Sequence, residues 1–190
     1  SVSPHDQQSR LVGGQGLYLS TDDGASWIER NNGLGGTRLD LVLDPRDGST
    51  LYADGNFLYR SATSGRSWEP VYPGGYDLAF DADGETLYRL SLLRSRNNGQ
   101  SWEGLDIPQE GQIYDLAAHP QKPGTLYLSY GSDSPIGLYI SHDSGDTWQA
   151  VKGWGEAGTI HHPILYFDLD LGEVVYAVGD GNAHRSSDAG

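Results

Sequence analysis

Three aspartates recur at one place in a repeated strand and are the first candidates for chemistry in this chain. Asp40, Asp77 and Asp115 each stand five residues before the position that closes a short, strand-like run. Two carboxylates about 5 to 9 Å apart supply the acid and the base or nucleophile of glycoside hydrolysis. A residue that recurs in every repeat is more often part of the repeat than of an active site, so a structural role stays open.

A histidine and two tyrosines are candidates for ligand binding near the same strands. His161 precedes His162 where the inner strand of the last repeat should begin. Adjacent strand residues point to opposite faces of a sheet, which disfavours one metal ion held by both rings and leaves surface or packing roles open. Tyr76 and Tyr114, beside two of the aspartates, offer rings on which a sugar could stack, or are ordinary strand tyrosines. The sequence leaves metal binding undetermined and predicts no cofactor.

A short pattern, Ser-x-(Asp/Asn/Thr)-x-Gly-x-(Ser/Thr)-Trp, runs through the chain between these candidates. Its copies begin about 40 residues apart, the spacing of propeller blades. The acceptor and the glycine predict a hairpin turn, and the tryptophan predicts a core anchor. Thr63 and Asn97 replace Asp in two copies, so the turn needs an acceptor and not a charge, which argues against acid–base chemistry there. The structural set comprises Asp22, Gly24, Trp27, Thr63, Gly65, Trp68, Asn97, Gly99, Trp102, Asp143, Gly145, Trp148 and Asp188.

This pattern resembles the Asp box, or BNR repeat, of sialidases, xyloglucan-cleaving glycosidases, the sortilin luminal domain and photosystem assembly factors. The resemblance covers nearly the whole chain, with four complete copies and a fifth partial one. It implies a β-propeller fold and says little about activity, because one fold carries many functions. The Arg-Ile-Pro motif of sialidases does not occur in the sequence.

Strand-like runs surround every copy of the pattern and define the predicted architecture. A β-rich hairpin precedes each serine, an alternating inner run precedes the hairpin, and a further strand follows the tryptophan. No stretch has a helical period. We predict an all-β chain: a β-propeller of four-stranded blades with Asp-box hairpins, with four to five blades in residues 1–190. These residues form a single domain in this interpretation, and membership of a larger propeller stays open.

The amino-acid composition limits the classes of partner and the cellular compartment that fit this protein. The net charge of −14, with only 12 basic residues, disfavours nucleic acid, whose phosphates require Lys and Arg. No apolar run is long enough for direct membrane insertion. The absence of cysteine excludes disulfides and thiol nucleophiles. A glycine-rich and tyrosine-rich hairpin protein of this kind fits a secreted or extracytoplasmic location, in the periplasm or at the cell surface.

Two functions compete for this fold. The first is a non-catalytic extracytoplasmic propeller that binds a protein or a glycan or serves as an assembly scaffold. The alternative is an Asp-box glycoside hydrolase or a fragment of one. The sequence favours the first, because it needs no residue that is missing. The enzyme would have to use carboxylates that look like part of the repeat.

Overall fold

A computed structural model shows that the chain is built from short antiparallel strands. It describes residues 10–13, 16–35, 40–46, 49–74, 78–107, 111–131, 137–151, 164–167, 175–179 and 182–186. Eighteen strands and no helix occur in these residues, which confirms the predicted all-β class for them. A search of the same residues for a long apolar helix that could span a membrane finds none.

The strands form five sheets, and neighbours in each sheet are consecutive in the sequence. The first sheet contains β1 (Arg10–Gly13), β2 (Leu17–Ser20) and β3 (Ile28–Glu29). The second contains β4 (Asp40–Leu43), β5 (Leu51–Asp54), β6 (Phe57–Ser61) and β7 (Glu69–Pro73). The third contains β8 (Leu78–Phe80), β9 (Leu87–Arg89), β10 (Leu93–Ser95) and β11 (Glu103–Gly104). The fourth contains β12 (Gln112–Ala118), β13 (Leu126–Gly131), β14 (Gly137–Ser141) and β15 (Gln149–Ala150). The fifth contains β16 (Ile164–Phe167), β17 (Val175–Gly179) and β18 (Asn182–Ser186).

One register recurs from sheet to sheet. In the first, second, fourth and fifth sheets the serine that opens the turn lies opposite the first residue of the preceding strand, as Ser61 lies opposite Leu51 and Ser141 opposite Leu126. Side chains alternate between the two faces of a strand, so this register fixes which residues face the core. Positions counted from the serine can therefore be compared between sheets.

The chain divides into two compact units, residues 1–80 with 95–101 and residues 81–94 with 102–190. In the first unit, Leu17 packs with Leu51, Ala53, Tyr59 and Trp68. These side chains come from the first and second sheets, so apolar faces of successive sheets stack on one another. That stacking removes apolar surface from water and stabilises the unit.

The second unit has two apolar clusters of the same kind. One contains Tyr88, Leu105, Leu116, Leu126, Leu128 and Tyr130. The other joins Tyr127 and Ile140 of the fourth sheet to Leu165, Val175 and Ala177 of the fifth. Successive sheets again pack through their apolar faces. The alternation of side chains along each strand places these faces opposite each other.

The tryptophans that end the repeated pattern do not share one environment. Trp68 is 6% exposed and its Nε1 donates a hydrogen bond to the carbonyl oxygen of Arg30, at 2.8 Å. Trp27 is 43% exposed and bonds only within its own turn, to the carbonyl oxygen of Gly24. The expected core anchor is therefore not found at Trp27. Trp68 reaches a neighbouring sheet and Trp27 does not, which accounts for the difference.

Candidate functional site

The repeated turns are closed by their serine and by the acceptor two residues later. In each of the four described copies the serine Oγ accepts the N–H of the glycine, at 2.8 to 2.9 Å. The acceptor side chain takes the N–H of the residue four positions on, at 2.8 to 3.0 Å. Asn97 and Thr63 make this bond as Asp22 and Asp143 do, so the geometry does not need a charge.

A second backbone feature of these turns was not evident from the sequence. The residue before each glycine also has a positive φ, of 58° at Asp23, 52° at Ser64, 57° at Asn98 and 63° at Ser144. Non-glycine residues adopt this conformation at some cost, which Asn and Asp tolerate best. The hydrogen bonds to the serine hydroxyl hold the chain in it, so the turn is a rigid structural unit.

The turn carboxylates are held ionised by the bonds they accept. The Ser26 hydroxyl and N–H lower the pKa of Asp22 to about 2, and those of Thr147 lower the pKa of Asp143 to about 2. Thr147 Oγ1 donates to Asp143 Oδ2 at 2.5 Å. A carboxyl group that stays ionised at all ordinary pH values cannot serve as a general acid, which supports a structural role.

Asp143→Asn should remove part of the acid sensitivity of the protein while costing about 1 kcal/mol or less at neutral pH. A folded-state pKa below the ordinary 3.8 adds stability above pH 3.8 that is lost as the pH falls towards 2. The amide can repeat the bonds of the third turn, where Asn97 Nδ2 donates to Ser101 Oγ at 2.8 Å. Urea unfolding at pH 6 and pH 2.5 measures the difference.

The reverse substitution is the control for this prediction. Asn97→Asp should increase the loss of stability between pH 6 and pH 2.5, because it adds a carboxylate to an equivalent turn. An unchanged pH dependence in both variants would contradict the assigned bonds.

Asp115, one of the recurring aspartates, has a structural bond. Its Oδ2 accepts the N–H of Leu165 at 2.8 Å and so ties β12 to β16. It follows a register irregularity between Ile113 and Asp115, and Tyr114, inside that irregularity, is half-buried. A carboxylate that holds two strands together is a poor candidate for exchanging protons.

The other predicted site residues are only partly covered by the structure. Asp40 lies at the start of β4, where its Cα partner is Asp54 of β5. Asp77, Tyr76, His161 and the turn residue Asp188 lie outside the described residues. A metal site formed by three or more His, Asp or Glu side chains is not found among the residues that the structure describes.

The carboxylate of Asp81 is also buried, and its hydrogen bonds are structural. Its two oxygens accept the N–H of Gly124 at 2.9 and 3.0 Å, and the Tyr88 hydroxyl donates to it at 3.1 Å. Burial raises the pKa of Tyr88, which keeps the phenol protonated as a donor. Asp81 thus joins two hairpins of the second unit.

Asp54 is the carboxylate that sequence reasoning missed. It ends β5 and is 6% exposed. It lies three residues after Leu51, the residue opposite the turn serine Ser61. The same register position holds Ser129 in the fourth sheet and Val178 in the fifth. Asp54 is therefore not a repeat residue. Because Gly55 follows Asp54, the sequence pattern is that of an ordinary turn aspartate. An alignment of the strands by their pairing register distinguishes Asp54 from the repeat residues.

An exposed aromatic ring lies on the same hairpin as Asp54. Phe57 begins β6, and its carbonyl oxygen accepts the N–H of Gly55 at 3.1 Å. Its ring centroid is 6.1 Å from that of the buried Tyr59, two residues along the same face of β6. Asp54 pairs with Leu58, so Phe57, the neighbour of Leu58, lies on the other face of the sheet from the carboxylate, and the two share only the hairpin end.

Comparison with known proteins connects this chain to xyloglucanases, although no protein-family model matches it. It is 30% identical to a xyloglucanase of Hypocrea jecorina in an alignment of 212 positions, which covers 96% of this chain and 24% of that protein. It is 27% identical over 175 residues to an oligoxyloglucan-reducing end-specific xyloglucanase of Emericella nidulans, covering 73% of this chain and 21% of that protein. The chain thus spans about a quarter or less of the length of these relatives.

A solved structure agrees with the sequence comparison at the level of the fold. The GH74 xyloglucanase from Xanthomonas campestris matches 99% of this chain and 36% of its own, with a TM-score of 0.77 and 22% identity. GH74 xyloglucanases are β-propeller enzymes, so the predicted propeller-like fold is confirmed at this coarse level.

The prediction of a non-catalytic scaffold is wrong. The finding that overturns it is the similarity to xyloglucanases, at 27 to 30% identity, along most of the chain. The prediction failed because it weighed only carboxylates that belong to the repeat. Asp54, which the repeat does not explain, was not among the predicted site residues.

Proposed function

We propose that this chain is part of a glycoside hydrolase that cleaves xyloglucan, and that its partner is therefore a glycan. The observation that carries the proposal is the sequence similarity to proteins named xyloglucanases, which extends over 73 to 96% of the chain. The charge of −14 is compatible with a neutral polysaccharide, because binding it requires no cationic surface.

Asp54 is the residue we assign to the chemistry. Glycoside hydrolysis uses two carboxyl groups, one to protonate the departing oxygen and one to activate water or attack the sugar. Asp54 is buried, differs from the repeat and ends its strand at a hairpin. Asp40, its Cα partner on β4, is the candidate for the second carboxylate within this chain. A residue elsewhere in the full-length protein is the alternative.

Phe57 is the proposed contact for the sugar ring. Its ring is exposed at the hairpin end that also carries Asp54, on the other face of the sheet, and lies against Tyr59. An aromatic face presents a flat apolar surface at little entropic cost, which suits the apolar face of a pyranose ring. Phe57 is a further candidate for the role that the sequence suggested for Tyr76 and Tyr114, which stays a prediction for those two residues.

The finer fold assignment belongs to the same proposal. The four described serine turns have the bonds expected of Asp-box hairpins, and the five sheets, three with four strands and two with three among the described residues, are compatible with four to five blades. An extracytoplasmic location fits a protein whose polymeric substrate lies outside cells.

Hydrolysis assays on the full-length natural protein test the proposal. We expect it to release oligosaccharides from xyloglucan, measured as new reducing ends and resolved by chromatography. Mannan, which has a different backbone, is the matched control and should give much less product. Absence of product from xyloglucan, with the protein folded by circular dichroism, would contradict the proposed function.

A further inference from the structure

His119, which directly follows β12, stands where two other sheets have an aspartate. The backbone N–H of Asp44, of Asp81 and of His119 donates in each case to the carbonyl oxygen of the threonine before the next strand, at 2.8 to 2.9 Å. The three residues therefore hold one position in the second, third and fourth sheets. In the fourth sheet this position has a titratable imidazole instead of a carboxyl group.

The imidazole closes the turn that follows β12. His119 Nδ1 accepts the N–H of Gln121 and the N–H of Lys122, each at 3.1 Å. Asp44 accepts the N–H two positions on in the same way, at 2.9 Å. An imidazole nitrogen that accepts a hydrogen bond carries no proton, because the protonated ring can only donate. The turn as it is built therefore requires the neutral form of His119.

The same ring belongs to an aromatic cluster that joins the fourth and fifth sheets. Its centroid is 6.3 Å from that of Tyr127 on β13 and 5.3 Å from that of Phe167 on β16. The centroids of Tyr127 and Phe167 are 5.5 Å apart, so the three rings contact one another. His119 is only 2% exposed. The protonation state of this imidazole thus acts on a turn and on a contact between two sheets of the second unit.

The titratable and charged groups around His119 do not favour a proton on it. The turn contains the cationic Lys122, β13 contributes the phenol of Tyr127, and β16 contributes the apolar ring of Phe167. Asp115, four residues earlier on β12, accepts the N–H of Leu165. A cation and a neutral phenol give a protonated imidazole no stabilisation, and burial disfavours its charge.

We propose that protonation of His119 opens the turn after β12 and breaks the ring contacts that join the fourth and fifth sheets, so that this part of the second unit is an acid-sensitive switch. A proton on Nδ1 turns the acceptor into a donor, which removes both bonds of the turn at once. Below about pH 6.5, the ordinary pKa of histidine, the open state binds one more proton than the closed state. Opening therefore becomes more favourable as the pH falls, and the stability that the neutral ring provides is complete only above this pH. The switch is independent of the proposed function.

Hydrogen–deuterium exchange of the full-length natural protein, followed by mass spectrometry, tests the switch. Pro120 and Pro123 have no N–H, so the two amides that His119 accepts are the only ones in residues 120–123. Their protection, expressed relative to an unfolded peptide of the same sequence at the same pH, should fall by up to about tenfold for each pH unit between 6.5 and 4.5. The amides of β16 should lose protection over the same range, because Phe167 loses a ring against which it packs.

His119→Asn is the matched variant, because its side-chain oxygen can accept the N–H groups of the turn and does not titrate. Asn97 already accepts the N–H of Ser101 in this way, at 2.8 Å, and that amide is the internal reference whose protection should not change with pH. In His119→Asn the amides of the turn should be protected equally at pH 6.5 and pH 4.5. If that variant is unfolded, His119→Asp replaces it, since it restores the residue type that the second and third sheets have at this position.

Three results would contradict the switch. Constant protection of the turn between pH 6.5 and pH 4.5 in the unaltered protein would overturn it directly. An equal loss of protection in His119→Asn would overturn it as well, because the acid sensitivity would then come from another group. Loss in the turn without loss in β16 would overturn the link between the fourth and fifth sheets. None of these measurements depends on hydrolysis of xyloglucan, which the assay of the unaltered protein tests separately.

Discussion

Asp54→Asn should lower xyloglucan hydrolysis by the full-length natural protein by about 10²- to 10⁴-fold, the usual contribution of a positioned acid or base. The amide has nearly the volume of the carboxyl group, so packing around this buried position should change little. It cannot donate or accept the catalytic proton. The measurement is kcat on xyloglucan, with the melting temperature recorded for the same preparation.

Two matched variants isolate the role of Asp54. Asp106→Asn changes an exposed carboxylate and should leave kcat unchanged. Ser129→Ala alters the buried residue at the same register position of the fourth sheet, and should affect stability more than rate. A full rate in Asp54→Asn at an unchanged melting temperature would remove this residue from the mechanism. The xyloglucan assay on the unaltered protein would still decide the proposed function separately.

The features for which sequence patterns carry the most information are those made by residues close together in the chain. The serine turns are closed by bonds between residues two to four positions apart, such as Ser141 to Gly145 and Asp143 to Thr147. Alternating apolar residues likewise identified the strand pairs, because a hairpin is a local structure. Both signals can be read without knowing which sheets are neighbours.

The features that the sequence did not predict depend on contacts between residues that are far apart in the chain. Asp115 bonds to Leu165, fifty residues away, so its structural role could not be separated from a catalytic one by sequence. Asp54 stands out only when strands are aligned by their pairing register. Burial of the pattern tryptophans also depends on a neighbouring sheet, which the repeated pattern itself does not specify.

Trp68→Ala should destabilise the protein by about 3 to 5 kcal/mol, the range for large aromatic truncations in a core. The substitution opens a cavity beside Leu17, Leu51 and Tyr59. It also leaves the carbonyl oxygen of Arg30 without the donor that Trp68 Nε1 supplies. Trp27→Ala, at the same position of the first copy, should cost about 1 kcal/mol or less, because that ring is largely exposed. Urea unfolding followed by far-ultraviolet circular dichroism measures both.

Trp68→Phe separates the two contributions at the buried site. It keeps most of the apolar volume and loses the bond to Arg30, so its cost should lie between those of the two alanine variants. Equal costs for Trp27→Ala and Trp68→Ala would mean that Trp27 is as well covered in solution as Trp68, which would contradict the difference between the two copies of the pattern.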